Sequence, residues 1–266
     1  MKNIQLYKWE VPDYDIMFLR KKTKDYSLII PVINEGLRIK SFLKKIYKNS
    51  IFNLVDIFIV DGGSTDGSLI VNDLKRMKIT GFLKIKNSFG LSSQLRVGYS
   101  LSLNMNYKGI VTIDGNDKDD PKFISTFIHM LDEGFDFVQA SRFVKGGVGI
   151  NTPAIRRMAI KYIHAPLLSF CSGFKWTDTT QGFRGYSAKL LKNKKLRIFR
   201  DVFKNYELLF FITYAAPKVG LKCIELATIR KYKKKQVNTK IKGISGNIKV
   251  FYQLILTCLG KFNYVE

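Results

Sequence analysis

Residues 55–68 read VDIFIVDGGSTDGS. β-Branched and aromatic side chains dominate its opening, which is strand composition, and Gly62, Gly63 and Gly67 then break the run into a turn. Ser64, Thr65 and, foremost, Asp66 offer acceptors that would cap a following helix, and LIVNDLKRM (69–77) fits that helix. The same grammar repeats on both sides. Upstream, SLIIPVI (27–33) is a short apolar run ending in Asn34, Glu35 and Gly36. LRIKSFLKKIYKN (37–49) then sets Ile39, Phe42, Leu43, Ile46 and Tyr47 on one helical stripe. Downstream, FLKIK (82–86), SSQLRVGYSLSLNM (92–105), GIVTI (109–113), PKFISTFIHMLDEG (121–134) and FDFVQAS (135–141) continue the alternation of strand and helix. Such alternation predicts an α/β fold with a mostly parallel sheet flanked by helices. Pro31 lacks an N–H, so the first strand is expected to end early or bulge there.

In open parallel sheets, ligands bind beyond the carboxyl ends of the strands. The polar clusters obey this rule: Asn34-Glu35, the turn after Asp61, the segment after Ile113 and Ser141-Arg142 all follow strands. The third is the most unusual. VTIDGNDKDDP (111–121) places Asp114, Asp117, Asp119 and Asp120 within seven residues of a chain whose net charge is +24. Crowded carboxylates repel one another and resist desolvation, so a metal ion, basic side chains or water should sit among them. Asp120, just before Pro121, reads as a helix cap.

The chain has 266 residues, 46% of them hydrophobic, enough for one sizeable domain. Its first residues carry acids and no apolar core of a signal peptide. No run approaches the roughly 18 apolar residues of a spanning helix. Cys171, Cys223 and Cys258 show no metal or redox spacing. A cytoplasmic location is expected, at most peripheral on the cytoplasmic face of the membrane. The 45 Lys and Arg against 21 Asp and Glu suit nucleic acid, an anionic membrane surface or anionic substrates, with part of the excess solvated surface.

Beyond residue 143 the pattern changes. VKGGVGINTP (144–153) reads as a loop, 153–170 as a helix, TDTTQGFRGYS (177–187) as polar and partly strand, YELLFFITYAAPKVG (206–220) as an apolar helix, and CIELATI (223–229) as a last strand. The predicted organisation is an N-terminal extension (1–25), a main domain (26–232) and a basic amphipathic tail (233–266). Seven Lys and Arg lie between Arg230 and Lys242. Ile248, Val250, Phe251, Leu254, Ile255 and Leu259 follow at spacings that permit one helical face, which would either enter a membrane interface or pack on the domain.

SLIIPVINE, IVDGGSTDGS, VTIDGNDKDDP and DTTQGFRGYS, with a later Tyr206-Glu207, resemble the family 2 glycosyltransferases of the GT-A fold, over roughly 26–232. The resemblance is nearest to dolichol-phosphate mannose synthase and other polyprenyl-phosphate glycosyltransferases. It implies an inverting transfer from a nucleotide-diphosphate sugar to a polyprenyl-phosphate or glycan acceptor in cell-envelope or surface glycan synthesis. It implies that Pro31, Asn34, Glu35, Asp61, Gly63 and Asp114 bind the nucleotide. Asp114 and Asn116 match the metal-binding DxD, implying Mg²⁺ or Mn²⁺; the second aspartate is replaced by Asn116, and Lys118 stands where the family often has Gln. Lys118, Arg142, Arg156 and Gln181 would face phosphate or acceptor, and Asp114, Asp178, Arg184 and Glu207 would form the catalytic set. A hydroxyl acceptor needs a base, for which Asp178 and Glu207 are the candidates, whereas a phosphate acceptor is already ionised.

A nucleic-acid-binding protein would need basic and aromatic residues interleaved on one face, and the acidic strand end opposes a phosphate backbone, so no nucleic-acid partner is expected. A sugar-nucleotide nucleotidyltransferase usually opens with a glycine-rich loop after its first strand. Here that strand ends in NEGLR, with one glycine.

Overall fold

The structure is a computed structural model describing residues 9–87, 90–233 and 243–263. In chain order the strands are β1 (Tyr14–Leu19), β2 (Tyr26–Val32), β3 (Asp56–Asp61), β4 (Gly81–Ile85), β5 (Gly109–Thr112), β6 (Phe137–Ser141), β7 (Val148–Ile150), β8 (Arg184–Ser187), β9 (Cys223–Ala227) and β10 (Ile229–Lys231). The helices are α1 (Leu37–Lys48), α2 (Val71–Arg76), α3 (Leu91–Asn104), α4 (Ile124–Asp132), α5 (Ala154–Ala159), α6 (Ala165–Ser172), α7 (Ala188–Leu191), α8 (Glu207–Lys218) and α9 (Gly243–Cys258). The main sheet runs β1-β4-β3-β2-β5-β8-β6-β9, and β7 with β10 makes a separate parallel ribbon. Strands β4, β3, β2 and β5 are mutually parallel, as are β6 and β9. Strand β8 is inserted antiparallel between β5 and β6.

Side-chain alternation along each strand builds a core on each face of the sheet. Ile29, Phe58, Val60 and Ile110 pack with Leu95 and Tyr99 of α3 and Leu208, Phe211 and Ile212 of α8. Leu28, Ile30, Ile57, Ile59, Val111 and Ile113 pack with Ile39, Phe42, Leu43 and Ile46 of α1, Leu74 of α2 and Phe127 and Leu131 of α4. Tyr47 leaves the stripe read for α1: it is exposed and meets the Phe52 ring at 5.5 Å.

Four expectations are corrected. First, β2 neither ends nor bulges at Pro31, which pairs in register with Val60. The Ile29 carbonyl faces β5, accepting from the Ile113 N–H, and the Val32 carbonyl faces β3, accepting from the Gly62 N–H. By that parity the missing donor of Pro31 faces β5, where the ladder has already ended at Ile29–Thr112. Second, the stretch 144–153 is not all loop, because β7 lies within it. Third, the helix expected over 153–170 is interrupted by a π-helical turn, Ile160–His164, between α5 and α6. Fourth, residues 223–229 are not one strand: the chain leaves the main sheet after β9 and enters β10.

The segment before residue 26 contributes the edge strand β1, antiparallel to β4. Trp9 stacks on Phe199 at 4.2 Å. At the other end, α9 packs on the domain, with Leu254 and Thr257 buried. The apolar positions read as one stripe divide: Leu254 is inside, while Ile248, Phe251 and Leu259 are exposed.

Candidate active site

The loops after β2 and β3 are tied together. Asn34 takes a positive φ of 46°; its N–H donates to Ser64 Oγ at 3.0 Å and its Oδ1 accepts from the Thr65 N–H at 2.8 Å. Asp61, buried at the end of β3, accepts from the Ser64 N–H at 2.8 Å. Gly63 has φ 96°, which a side chain would resist. Glu35 pairs with Arg38 at 2.8 Å. Asp66 is not a helix cap: it accepts from Ser68 N–H and Oγ and from the Gly36 N–H at 2.7 Å, and α2 starts later, at Val71. Gln94, on α3, donates to the carbonyls of Val32 and Val60 at 2.7 and 2.8 Å, clamping the ends of β2 and β3. Nothing in its local sequence marks that role.

The four aspartates of 114–120 diverge. Asp117 turns to α1, accepting from Ser41 Oγ at 2.8 Å and Lys45 Nζ at 2.7 Å. Asp120 caps the turn beginning at Pro121, accepting from the Lys122 N–H. Asp119 is buried against Arg230, whose Nη1 meets Oδ2 at 2.5 Å, and Arg230 Nη2 also reaches Asp114 Oδ2 at 3.2 Å. Burial opposes the charge on Arg230, but Asp119 and Asp114 outweigh it and hold Arg230 protonated. In the sequence Arg230 heads the basic run that leads into the amphipathic tail. In the fold it is the buried counter-charge of the acidic segment, brought there by β10. Asn116 Nδ2 donates to Asp114 Oδ2 at 3.2 Å, and Gly182 lies so close to Asp114 that a Cβ there would overlap Oδ1.

Beside this cluster Arg142 and Asp178 form a sealed ion pair, Nε to Oδ2 2.6 Å. Asp178 also accepts from Gln181 Nε2 at 2.8 Å and Thr180 Oγ1 at 3.0 Å. Burial works against its charge, but Arg142 and these hydrogen bonds keep its carboxyl below the ordinary value. Arg142 Nη1 donates to the Tyr232 hydroxyl at 3.1 Å and Arg156 Nη1 to the same oxygen at 3.4 Å. Lys118 Nζ stands 5.2 Å from the Tyr232 ring centre. Tyr232 lies within the basic run RKYKKK, where no local pattern marks it for a site.

Two members of the expected catalytic set are engaged within the fold. Arg184 is fully buried; its guanidinium donates to the carbonyls of Gln181, Thr179 and Leu209 at 2.9, 3.0 and 2.7 Å. It ties the 177–184 segment to α8 and presents no free face to a ligand. Glu207 accepts from the Asn205 N–H through one oxygen and from Gln253 of α9 through the other, so it anchors the helix start and the C-terminal helix.

A family model described as "Glycosyl transferase family 2" matches residues 27–193. The chain belongs to glycosyl transferase family 2. This glycosyltransferase is 25% identical over 212 residues to polyprenol monophosphomannose synthase of Mycolicibacterium smegmatis, covering 77% of each chain. Its fold is the GT-A fold. Glucosyl-3-phosphoglycerate synthase from Mycobacterium tuberculosis, solved with Mn²⁺, UDP and glucosyl-3-phosphoglycerate, superposes with TM-score 0.60 at 16% identity, over 92% of this chain and 81% of that one. Mannosyl-3-phosphoglycerate synthase from Rubrobacter xylanophilus does so with TM-score 0.59 at 14% identity, over 89% and 73%.

The acidic segment of the glycosyltransferase fits a divalent cation. Asp114 and Asn116 are oxygen donors of the kind hard cations prefer. Asn116 Oδ1 and Asp119 Oδ1 are buried acceptor atoms with no hydrogen-bond partner among the described residues. Hard cations of this kind are usually held by one or two carboxylates together with substrate phosphates.

Proposed function

We propose that this glycosyltransferase moves a sugar from a nucleotide-diphosphate sugar to a polyprenyl phosphate, inverting the anomeric carbon. One observation carries the acceptor class: both carboxylates expected to serve as a base are locked, Asp178 by Arg142 and Glu207 by Asn205 and Gln253. A hydroxyl acceptor would lack its base, whereas a phosphate oxygen is already a nucleophile. Lys118, Arg142 and Arg156 supply the positive lining that such an anion requires.

In this reading Pro31, Asn34, Glu35, Asp61 and Gly63 hold the base and ribose at the ends of β2 and β3. Asp114 and Asn116 would hold Mg²⁺ or Mn²⁺, which would neutralise charge on the departing diphosphate. Arg230 keeps Asp114 and Asp119 oriented. Arg142, fixed by Asp178 and Thr180, and Arg156 position the acceptor phosphate for attack on the anomeric carbon from the face opposite the leaving group.

The acceptor lipid implies a membrane surface. No helix among the described residues is long and apolar enough to cross a membrane. Ile155, Met158, Tyr162, Ile163 and Phe170, on the helical stretch from α5 to α6, and Ile248, Phe251, Tyr252 and Leu259, on or just beyond α9, are exposed. Exposed Arg157, Lys161 and Lys249 lie among them, the composition of a face that docks on an anionic leaflet. Of the basic run between Arg230 and Lys242, residues 234–242 lie outside the described residues.

Incubating the full chain and Mn²⁺ with UDP-, GDP-, CDP- and dTDP-sugars, each with a short-chain isoprenyl phosphate or with phosphate-free glycans, tests the reading. Transfer to the isoprenyl phosphate, with inverted configuration by NMR, supports it. Transfer only to glycan hydroxyls overturns it.

A further inference from the structure

The centre of the basic lining is a tyrosine. Strand β10 pairs with β7 and carries Tyr232 beyond its end, where its N–H donates to the Ile150 carbonyl at 2.9 Å and its carbonyl accepts from Asn151 Nδ2 at 3.1 Å. Its side chain is thereby held inside the site, 3% exposed. The hydroxyl accepts from Arg142, which follows β6, and from Arg156, on α5. The ring lies 5.8 Å from the guanidinium carbons of both Arg156 and Arg230 and 5.2 Å from Lys118 Nζ. Asp178 stands behind Arg142, Asp119 and Asp114 behind Arg230, and His164 lies near Asp178 and Arg156. Four cations from four separate segments therefore surround one phenol.

We propose that Tyr232 is a specificity-determining residue of the acceptor site, whose hydroxyl donates a hydrogen bond to the acceptor phosphate when protonated and competes with that phosphate for the same guanidinium groups when ionised. The inference rests on the phosphate-acceptor reading above. The electrostatics agree with the geometry: burial pushes the phenol up, but Arg230, Arg142 and Arg156 outweigh it and bring Tyr232 down to about 7. Ionisation thus falls within the range where an enzyme works. A phenolate satisfies the guanidinium donors locally, so an entering phosphate must displace it, and a proton is taken up from solvent as the phenol re-forms. Acceptor binding weakens as pH rises through that range, while the nucleotide end, built on β2 and β3, does not respond to Tyr232.

The test compares the full-length wild type with Tyr232→Phe, both checked for equal melting temperature. Ultraviolet titration without substrate should show one tyrosinate forming near neutrality in the wild type and none in the variant, and inorganic phosphate should move that titration to higher pH. In turnover with a short-chain isoprenyl phosphate, the acceptor KM of the wild type should rise up to tenfold per pH unit above the transition, relative to the variant. The ratio cancels the ligand's own titration. Below the transition the variant should bind acceptor roughly tenfold more weakly, having lost a hydrogen bond to a charged group, with KM for the nucleotide sugar unchanged. Identical titration curves for the two proteins, or a wild-type titration that phosphate leaves in place, overturn the proposal. A tyrosinate that responds to inorganic phosphate in a protein that transfers no sugar to isoprenyl phosphate would sink the acceptor reading and leave the role of Tyr232 standing.

Discussion

Arg142 and Asp178, 36 residues apart, meet at 2.6 Å with both side chains sealed from solvent. The pair converts a carboxylate expected to act as a base into the support that aims a guanidinium at the Tyr232 hydroxyl. Removing one partner leaves an uncompensated buried charge, which typically costs about 3–5 kcal/mol. Asp178→Ala should therefore lower the stability of the chain by that order in denaturant titration, and any folded fraction should show a raised acceptor KM. A variant as stable as the wild type would contradict the burial of the pair.

The pH dependence of that stability has a definite sign. The folded state holds the Asp178 carboxyl below its ordinary value, so its contribution is complete above the unfolded value and is lost as pH falls through the folded one. The stability difference between wild type and Asp178→Asn should shrink on acidification below about pH 4 and stay flat from neutrality upward. Urea melts across that range read it directly.

Gly182 sits where a Cβ would overlap Oδ1 of Asp114. Gly182→Ala should push Asp114 from its position with Arg230 and Asn116 and cut kcat by about 100-fold or more, since misplacement by about 1 Å has that order of effect. Circular dichroism should remain native. Retained turnover would mean that Asp114 tolerates displacement and lies outside the chemistry.

Asp114→Ala should abolish most transfer. A cation at a departing diphosphate supplies several kcal/mol of charge stabilisation, which corresponds to a loss of about two to four orders of magnitude in kcat. In thermal-shift measurements, the rise in melting temperature given by nucleoside diphosphate with Mn²⁺ should vanish in the variant and on chelation in the wild type.

The exposed face of α5, α6 and α9 is expected to bind vesicles containing anionic lipid, less so as salt screens the attraction. Burying one large apolar side chain is worth about 1.5–3 kcal/mol, so Phe170→Ser with Tyr162→Ser should reduce co-sedimentation by at least about tenfold while soluble nucleotide binding survives. Equal pelleting of wild type and double variant would place docking elsewhere.

The alternation of short apolar runs with amphipathic helices sufficed to determine the α/β class, the positions of β2 to β6 and the row of polar residues at the strand ends, because period and burial are local properties of the chain. The Ile39, Phe42, Leu43 and Ile46 stripe is buried as read, and Asp61 and Asp114 stand at strand ends. What became of the four aspartates was decided only by the tertiary structure. Asp117 is claimed by Lys45, 72 residues away, and Asp119 by Arg230, 111 residues away, and no local pattern encodes such pairings. The same holds for Arg184, taken up by the carbonyls of Thr179, Gln181 and Leu209, for Glu207, taken up by Asn205 and Gln253, and for Pro31, tolerated in β2 because its missing donor faces a ladder that has already ended. Tyr232 belongs to a basic run in the sequence. The β7–β10 pairing, formed between segments with no strand signature, turns it inward among three arginines, and that pairing exists only once the chain has folded.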